Sequence, residues 1–332
     1  MANVAIVGFG RIGRSLYRRI HQNSLFVPRA ICDIATADQL AALLEVDSIY
    51  GRWDAVSSDG TNIVVGDDVI PYYNTRASLP DWGAMDIDLV VDCTGRATTR
   101  AGAQPHLQAG AKRVLVSGPS KSMSDCDAVL LPGINMDSYN PDQHKIISLA
   151  SCTTNALAPV VKVLQDLVGI KSGFFTTVHA YTNTQTLTDQ PMKDRRDSWA
   201  AAENIIPSSS GAAKALKFIW PDLNITGKAY RVPVRTGSIV EVTIVTERPA
   251  EVGAVNDAFR AAAAEGPLHG ILGVLEGEYA SSRIINDPHS SIVDLPLTQV
   301  LDENLLTVAA WYDNEAGFSM RLAEAAVAVA IA

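Results

Sequence analysis

Cys152 stands in the run Leu149-Ala150-Ser151-Cys152-Thr153-Thr154-Asn155, and His179 follows in the next strand-like segment. A thiol beside an imidazole is the pair that covalent catalysis on a carbonyl carbon uses, the thiolate attacking and the imidazole moving protons. A free thiol titrates at about 8.5, and the N–H groups of a helix start together with a nearby imidazole lower that value by stabilising the thiolate. The flanking pattern supplies such a start. Residues 145–148 are β-like, and after the cysteine Leu157, Val160, Val161, Leu164 and Leu167 recur at helical spacing, so the thiol falls at a strand-to-helix junction. Most cysteines are small core residues. This one is flanked by the hydroxyls of Ser151, Thr153 and Thr154, which a core thiol has no use for. Pro159 removes one helical hydrogen bond, so the helix either starts nearer Ala156 or kinks at the proline.

The elements that must position this pair change character along the chain. Before the cysteine, short buried β-like runs at 4–7, 30–32, 88–93, 113–116 and 145–147 alternate with helical stretches such as 12–21 and 37–44, which implies a mostly parallel sheet with crossover connections. After it, the segments 173–182, 227–234, 238–247 and 304–312 are longer and rich in Val, Thr, Ile and aromatics. They predict a mixed or antiparallel sheet covered by helices at 201–205, 211–218 and 252–264. A domain border is expected at the cysteine, with one domain over 1–151, a second over 152–314, and a last helix, 315–332, returning to pack on the first.

A glycine turn opens the chain. Gly8-Phe9-Gly10-Arg11-Ile12-Gly13 follows a predicted strand and starts a predicted helix. Gly8 permits the tight turn, Gly10 lets the backbone approach a pyrophosphate, and Gly13 lets helix and strand pack closely. Asp33 ends the next strand, where a carboxylate accepts hydrogen bonds from an adenosine ribose and repels a 2′-phosphate, so NAD is favoured over NADP. Gly95, after Val91-Asp92-Cys93-Thr94, is a further small residue at a strand end where such a sheet binds dinucleotide. The fold class is therefore α/β: an N-terminal Rossmann-type doubly wound parallel sheet and an α+β catalytic domain with a mixed or antiparallel sheet.

Composition narrows the partners. The chain has 332 residues, a formal net charge of −9 and 47% apolar residues. A nucleic-acid role is excluded for want of a basic face. Cys32, Cys93, Cys126 and Cys152 are widely spaced with no paired motif, which suggests neither a metal site nor a disulfide framework and suits a reducing cytoplasm. The apolar stretch at 4–9 is broken by glycines and followed by Arg11 and Arg14, unlike a signal peptide, and 323–332 is too short to span a bilayer. No membrane partner is expected.

Taken together, Gly8-Phe9-Gly10-Arg11-Ile12-Gly13-Arg14, Ala150-Ser151-Cys152-Thr153-Thr154-Asn155, Gly211-Ala212-Ala213-Lys214, Arg231-Val232-Pro233 and Tyr312-Asp313-Asn314-Glu315 resemble the glyceraldehyde-3-phosphate dehydrogenase family, in the same order over essentially the whole chain. The resemblance implies an NAD-dependent, phosphorylating aldehyde dehydrogenase acting on a sugar-phosphate aldehyde with inorganic phosphate, assembled as a homotetramer. By that likeness Cys152 carries a thioester and His179 is the base. Thr182 and Arg231 hold the substrate phosphate, and Ser151, Thr153, Ser210 and Gly211 hold the attacking phosphate. Gly8, Gly10, Arg11, Ile12, Gly13, Asp33, Arg76, Gly95, Ser117 and Asn314 contact the cofactor. For the hydroxyls, ordinary capping and turn duty is the competing reading.

Three departures from the family pattern stand out. The phosphate-binding arginine falls on Asp197 and the next arginine on Trp199, with Arg195 or Arg196 able to substitute through a shifted loop. The tryptophan after Asn314-Glu315 is Ala316, and a common aspartate is Thr184. They point to a paralogue with a different aldehyde or acyl acceptor. One alternative is an erythrose-4-phosphate dehydrogenase that releases its acyl group to water. Another is a Cys-His acyl hydrolase without redox chemistry, and a third is a member kept for binding alone.

Overall fold

The computed structural model describes residues 2–331. It divides into two compact units. One runs to Ala150 and takes the chain again from Ser319; the other is Ser151–Phe318.

The first unit begins with β1 (Val4–Val7), α1 (Arg11–Gln22), β2 (Ala30–Asp33) and α2 (Ala37–Glu45). A two-stranded pair, β3 (Val46–Asp47) and β4 (Gly51–Arg52), precedes a meander of β5 (Val56–Ser58), β6 (Asn62–Val65) and β7 (Asp68–Asn74). Then follow β8 (Leu89–Asp92), α3 (Arg100–Gln108), β9 (Arg113–Val116), β10 (Ala128–Val129) and β11 (Ile146–Ser148). The nine-stranded sheet has the order β10-β11-β9-β8-β1-β2-β7-β6-β5. Strands from β10 through β7 pair in parallel, and only the meander edge is antiparallel. Every residue of β1 and of β8 is buried, as expected of parallel strands with both faces covered. From β1 the chain winds outward through β2 and then crosses back to lay β8 on the other side of β1. Ligands bind beyond the carboxyl ends of strands at such a switch point, and the residue immediately beyond β1 is Gly8.

The second unit contains α4 (Cys152–Leu167), β12 (Ile170–Ala180), β13 (Ile206–Ser209), α5 (Ala212–Leu216), β14 (Ile225–Val232), β15 (Ser238–Thr246) and α6 (Val252–Ala264). It continues through β16 (Leu272–Leu275), β17 (Ser291–Asp294), β18 (Gln299–Leu301) and β19 (Leu305–Tyr312) to the start of α7 (Ala316–Ile331). Its mixed sheet has the order β13-β14-β12-β15-β19-β17-β16, with β18 pairing β19. Along β12, Phe175, Thr177 and His179 are buried while Phe174 and Val178 are exposed, the alternation of a sheet covered on one face. The cover includes α4, which packs on β12, β15, β17 and β19. Ala156, Leu157, Val160, Val161 and Leu164 of α4 are buried, and each large side chain hidden in this way contributes roughly 1.5–3 kcal/mol.

Two local expectations are corrected. Helix α4 does not wait for Ala156: Ser151 caps it, so it starts at Cys152 and runs through Pro159. Residues 201–205 are turns rather than a helix, because Ile206 is drawn into β13 opposite Arg231 of β14, and a residue before proline resists the helical region.

Candidate active site

The turn that delivers the thiol is strained. Ala150 has φ +57, a left-handed conformation that a residue with a Cβ adopts at a cost of about 1–2 kcal/mol. Its N–H donates to Ser148 Oγ at 3.0 Å, and that hydroxyl donates to Gly118 O at 2.8 Å. Ser151 then accepts the Thr154 N–H at 3.1 Å as the N-cap of α4. Cys152 is the first helical residue, half-buried, with its Sγ 3.4 Å from His179 Nε2.

His179 reaches the sulfur from the buried face of β12, and Arg231 lies directly opposite it in the parallel register with β14. Arg231 NH1 stands 2.6 Å from His179 Nδ1 and donates to Ala180 O at 3.2 Å. Nδ1 also lies 2.6 Å from Ala180 O. The carbonyl calls for a proton on Nδ1 and the guanidinium, a donor only, calls for a lone pair there, so the two contacts pull the ring toward opposite tautomers.

The expectation of a depressed thiol is not met. Burial pushes the Cys152 thiol above its ordinary value, against the opposing pull of the Arg231 guanidinium and of hydrogen bonds from Thr153 and the helix start. Burial likewise holds His179 down at about 3, helped by the Arg231 charge and opposed by the Ala180 carbonyl. Desolvation disfavours both charged forms. The resting pair is therefore a neutral thiol beside a neutral imidazole.

Several groups that hold this pair were given no role from sequence. Tyr312, at the end of β19, is buried, its ring edge-on to His179 with centroids 5.8 Å apart. Thr177 Oγ1 donates to Ile239 O at 3.0 Å, so Tyr312 OH must donate to Thr177 Oγ1 (2.8 Å) and accept from Thr153 Oγ1 (3.0 Å). Ser238 Oγ accepts the Ala180 N–H at 3.1 Å and donates to Asn314 Oδ1, also at 3.1 Å. The Gly237 N–H reaches the same Oδ1 at 3.2 Å, which turns the Asn314 amide nitrogen away from these donors. The visible signal was a β strand ending in the polar run Tyr312-Asp313-Asn314.

The candidate phosphate residues are only partly gathered. Thr153 and Arg231 lie in the Cys152–His179 cluster, and Ser151 performs the capping duty. Thr182 donates its N–H to Gln185 Oε1 at 3.0 Å and pairs its hydroxyl with Thr184 at 2.9 Å. Gln185 Nε2 in turn donates to Asp197 Oδ1 at 3.0 Å, so the carboxylate at the arginine position is tied to the Thr182 turn by a buried amide. Arg195, Arg196 and Trp199 are exposed. Ser210 Oγ accepts the Ala212 N–H at 3.4 Å, just before α5, which packs on α4. Gly211 is the exposed N-cap of α5, and Ala316 is buried at the first position of α7.

In the first unit the glycine turn fits a dinucleotide. Gly8 has φ +86, and a Cβ there would lie 2.7 Å from Thr94 N; one on Gly13 would lie 2.1 Å from Gly8 O; one on Gly10 would enter open space. Gly10 caps α1 without a side-chain cap, and Ile12 and Gly13 belong to the first turn, where backbone N–H groups favour an anion. Asp33 accepts Phe9 N–H at 2.6 Å, Ile34 N–H at 2.7 Å and Ala35 N–H at 3.1 Å. Tyr72 donates to the Asp33 and Ala35 carbonyls, Asn74 to those of Ile34 and Ala35, and Arg76 NH2 lies 3.5 Å from Ile34 O. Tyr72 and Asn74 thus hold the backbone that follows Asp33. The Arg11 guanidinium binds Asp47 at 2.8 Å, so a pyrophosphate contact from Arg11 would come from its backbone. Gly95 follows β8 with φ +74, and Ser117 donates its N–H to Asp92 O at 2.9 Å after β9.

Residues 2–100 match the family model described as glyceraldehyde 3-phosphate dehydrogenase, NAD binding domain, and residues 151–314 match its C-terminal domain. The chain is 44% identical over 332 residues to the glyceraldehyde-3-phosphate dehydrogenase of Priestia megaterium (strain DSM 319 / IMG 1521), covering 98% of each chain. It is 44% identical over 331 residues to that of Geobacillus stearothermophilus, again covering 98% of each. It is 46% identical over 333 residues to that of Mycobacterium avium, covering 97% of this chain and 96% of the relative.

Proposed function

Because the chain belongs to the glyceraldehyde-3-phosphate dehydrogenase family, we propose that it oxidises glyceraldehyde 3-phosphate, or a close sugar-phosphate aldehyde, through a thioester on Cys152 that inorganic phosphate releases as an acyl phosphate. The observation that carries this reading is the Cys152 Sγ at 3.4 Å from a neutral His179 Nε2, with Arg231 in register beside them. NAD, the cofactor, supplies the hydride acceptor when bound.

Each residue has a step. As the sulfur bonds to the aldehyde carbon, Nε2 takes the thiol proton and passes it to the carbonyl oxygen, giving a hemithioacetal. Nε2 then removes that hydroxyl proton as hydride leaves the carbon, and a thioester remains on Cys152. Phosphate adds to the thioester carbon, the C–S bond breaks, and the sulfur regains its proton from the imidazolium. An imidazolium beside Arg231 is unfavourable on its own. The substrate's phosphate, held by Arg231 and Thr182, offsets the guanidinium charge and makes the protonated ring accessible. Ser151, Thr153, Ser210 and Gly211 receive the attacking phosphate. Asn314, with its amide nitrogen free of the Ser238 cluster, receives the nicotinamide carboxamide, while Gly8, Gly10, Arg11, Ile12, Gly13, Asp33, Arg76, Gly95 and Ser117 line the rest of the cofactor.

Asp197 favours a second reading, in which water takes the place of phosphate, as in an erythrose-4-phosphate dehydrogenase. Its carboxylate, bound by Gln185, falls where the family pattern has a phosphate-binding arginine, so the attacking phosphate loses a cationic partner and meets a negative charge. Initial rates with three- and four-carbon sugar phosphates, with and without inorganic phosphate, separate the two. Strict phosphate dependence supports the first, and phosphate-independent turnover replaces it with the second. An acyl hydrolase without redox chemistry would leave the Gly8 turn and Asp33 unused. A cytoplasmic location suits a reaction needing a reduced thiol, and all four cysteines are free. A homotetramer would cover apolar side chains left in the open, among them Phe174 at 69% and Leu187 at 83% exposure.

A further inference from the structure

Beneath the Thr94 turn lies a buried polar chain that the proposed chemistry does not use. Trp82, before β8, is fully buried among Ala5, Val7, Ala30, Cys32 and Val90. Its indole Nε1 lies 3.3 Å from Nδ1 of His106, in the last turn of α3, and His106 Nε2 lies 3.1 Å from Asp92 Oδ2 at the end of β8. His106 is 4% and Asp92 3% exposed. An indole N–H can only donate, so Nδ1 accepts and the ring's proton sits on Nε2, donated to the carboxylate. The other carboxylate oxygen, Oδ1, accepts the Thr94 N–H at 2.9 Å and its Oγ1–H at 2.7 Å, and Thr94 Oγ1 accepts the Arg96 N–H at 3.0 Å. The chain thus converges on the Asp92 carboxylate, with Trp82 and His106 donating from one side and the Thr94 turn from the other.

That turn abuts the glycine loop: Thr94 N is the atom nearest to a Cβ built on Gly8, at 2.7 Å, and Gly95 follows with φ +74. A buried chain of this kind is costly to desolvate, and apolar side chains of similar volume fill a core at least as well. We propose that His106, held by Trp82, is a positioning residue for the dinucleotide: through Asp92 it sets the height of the Thr94–Gly95 turn against Gly8, and so the affinity for NAD. The inference rests on the reading of the Gly8 turn as the NAD site.

The test uses the full chain and measures NAD affinity by calorimetry, the rate of Cys152 alkylation by iodoacetamide without NAD, and the urea midpoint. His106→Leu removes both hydrogen bonds, and His106→Gln keeps an acceptor for Trp82 and a donor for Asp92. His106→Leu is expected to weaken NAD binding on the order of tenfold, the effect of one net hydrogen bond, with Cys152 alkylation unchanged; His106→Gln recovers most of the affinity. Unchanged NAD affinity in folded His106→Leu overturns the proposal, as does a His106→Gln as weak as His106→Leu. Should His106→Leu fail to fold, Trp82→Phe decides: weaker NAD binding supports the role and wild-type affinity overturns it. A wild-type chain that binds no NAD would instead overturn the cofactor reading beneath it.

Discussion

Lowering the pH below 6.5 should unfold this protein partly through one residue, His179. In the unfolded chain its imidazole titrates near 6.5, whereas in the folded chain burial, then the Arg231 charge, hold it at about 3. Folded stability is therefore complete above pH 6.5 and is lost as the pH falls toward 3, because only the unfolded state takes up the proton. At pH 5 the difference spans about 1.5 units, which at about 1.4 kcal/mol per unit is roughly 2 kcal/mol per chain. His179→Asn keeps a polar side chain of similar reach and cannot take the proton. Urea unfolding of both proteins at pH 7.5 and 5.0, at one fixed protein concentration, isolates the contribution, since every other group titrates in both. Wild type should lose about 2 kcal/mol more than the variant between the two pH values. Equal losses would refute the buried, neutral imidazole on which the proton transfers depend.

Tyr312→Phe leaves the Thr153 and Thr177 hydroxyls without their shared partner; unfolding by urea should show a loss of about 1–3 kcal/mol, with a fall in kcat larger than any change in KM. Ala150→Val, a β-branched side chain forced into the φ +57 turn, should destabilise by more than about 1 kcal/mol, while Ala150→Gly stays within about 1 kcal/mol of wild type because relief of strain opposes added unfolded-state entropy. Asp33→Ala should weaken NAD by about tenfold while improving NADP relative to it, read by calorimetry with each dinucleotide.

Much of the frame was legible because local and tertiary demands agree. The apolar runs at β1 and β9 can only be buried strands, and Asp33 falls at a strand end because the next turn begins there. Agreement failed where distant pairing decides. Residues 201–205 have helical composition, but β14 recruits Ile206 into a strand. The meander β5–β7 has short, partly polar strands with little periodicity to read. At the site, the types and order of Cys152, His179 and Arg231 were legible, whereas the sign of the thiol's shift was not, because desolvation is set by α4 closing over the sheet. Ser238 and His106 are ordinary in sequence and acquire partners far off in the chain, through the β12–β15 register and through the packing of α3, while Gln185 finds its partners within its own loop.

The central claim is tested most directly by mixing the protein with glyceraldehyde 3-phosphate and NAD in the absence of inorganic phosphate, quenching in acid, and locating acyl groups by mass spectrometry of the peptides. A stoichiometric acyl adduct on Cys152 that disappears on adding phosphate, and is missing in Cys152→Ser, is the predicted result. Reduction of NAD with no acyl group on Cys152, or with the adduct on another residue, would contradict it.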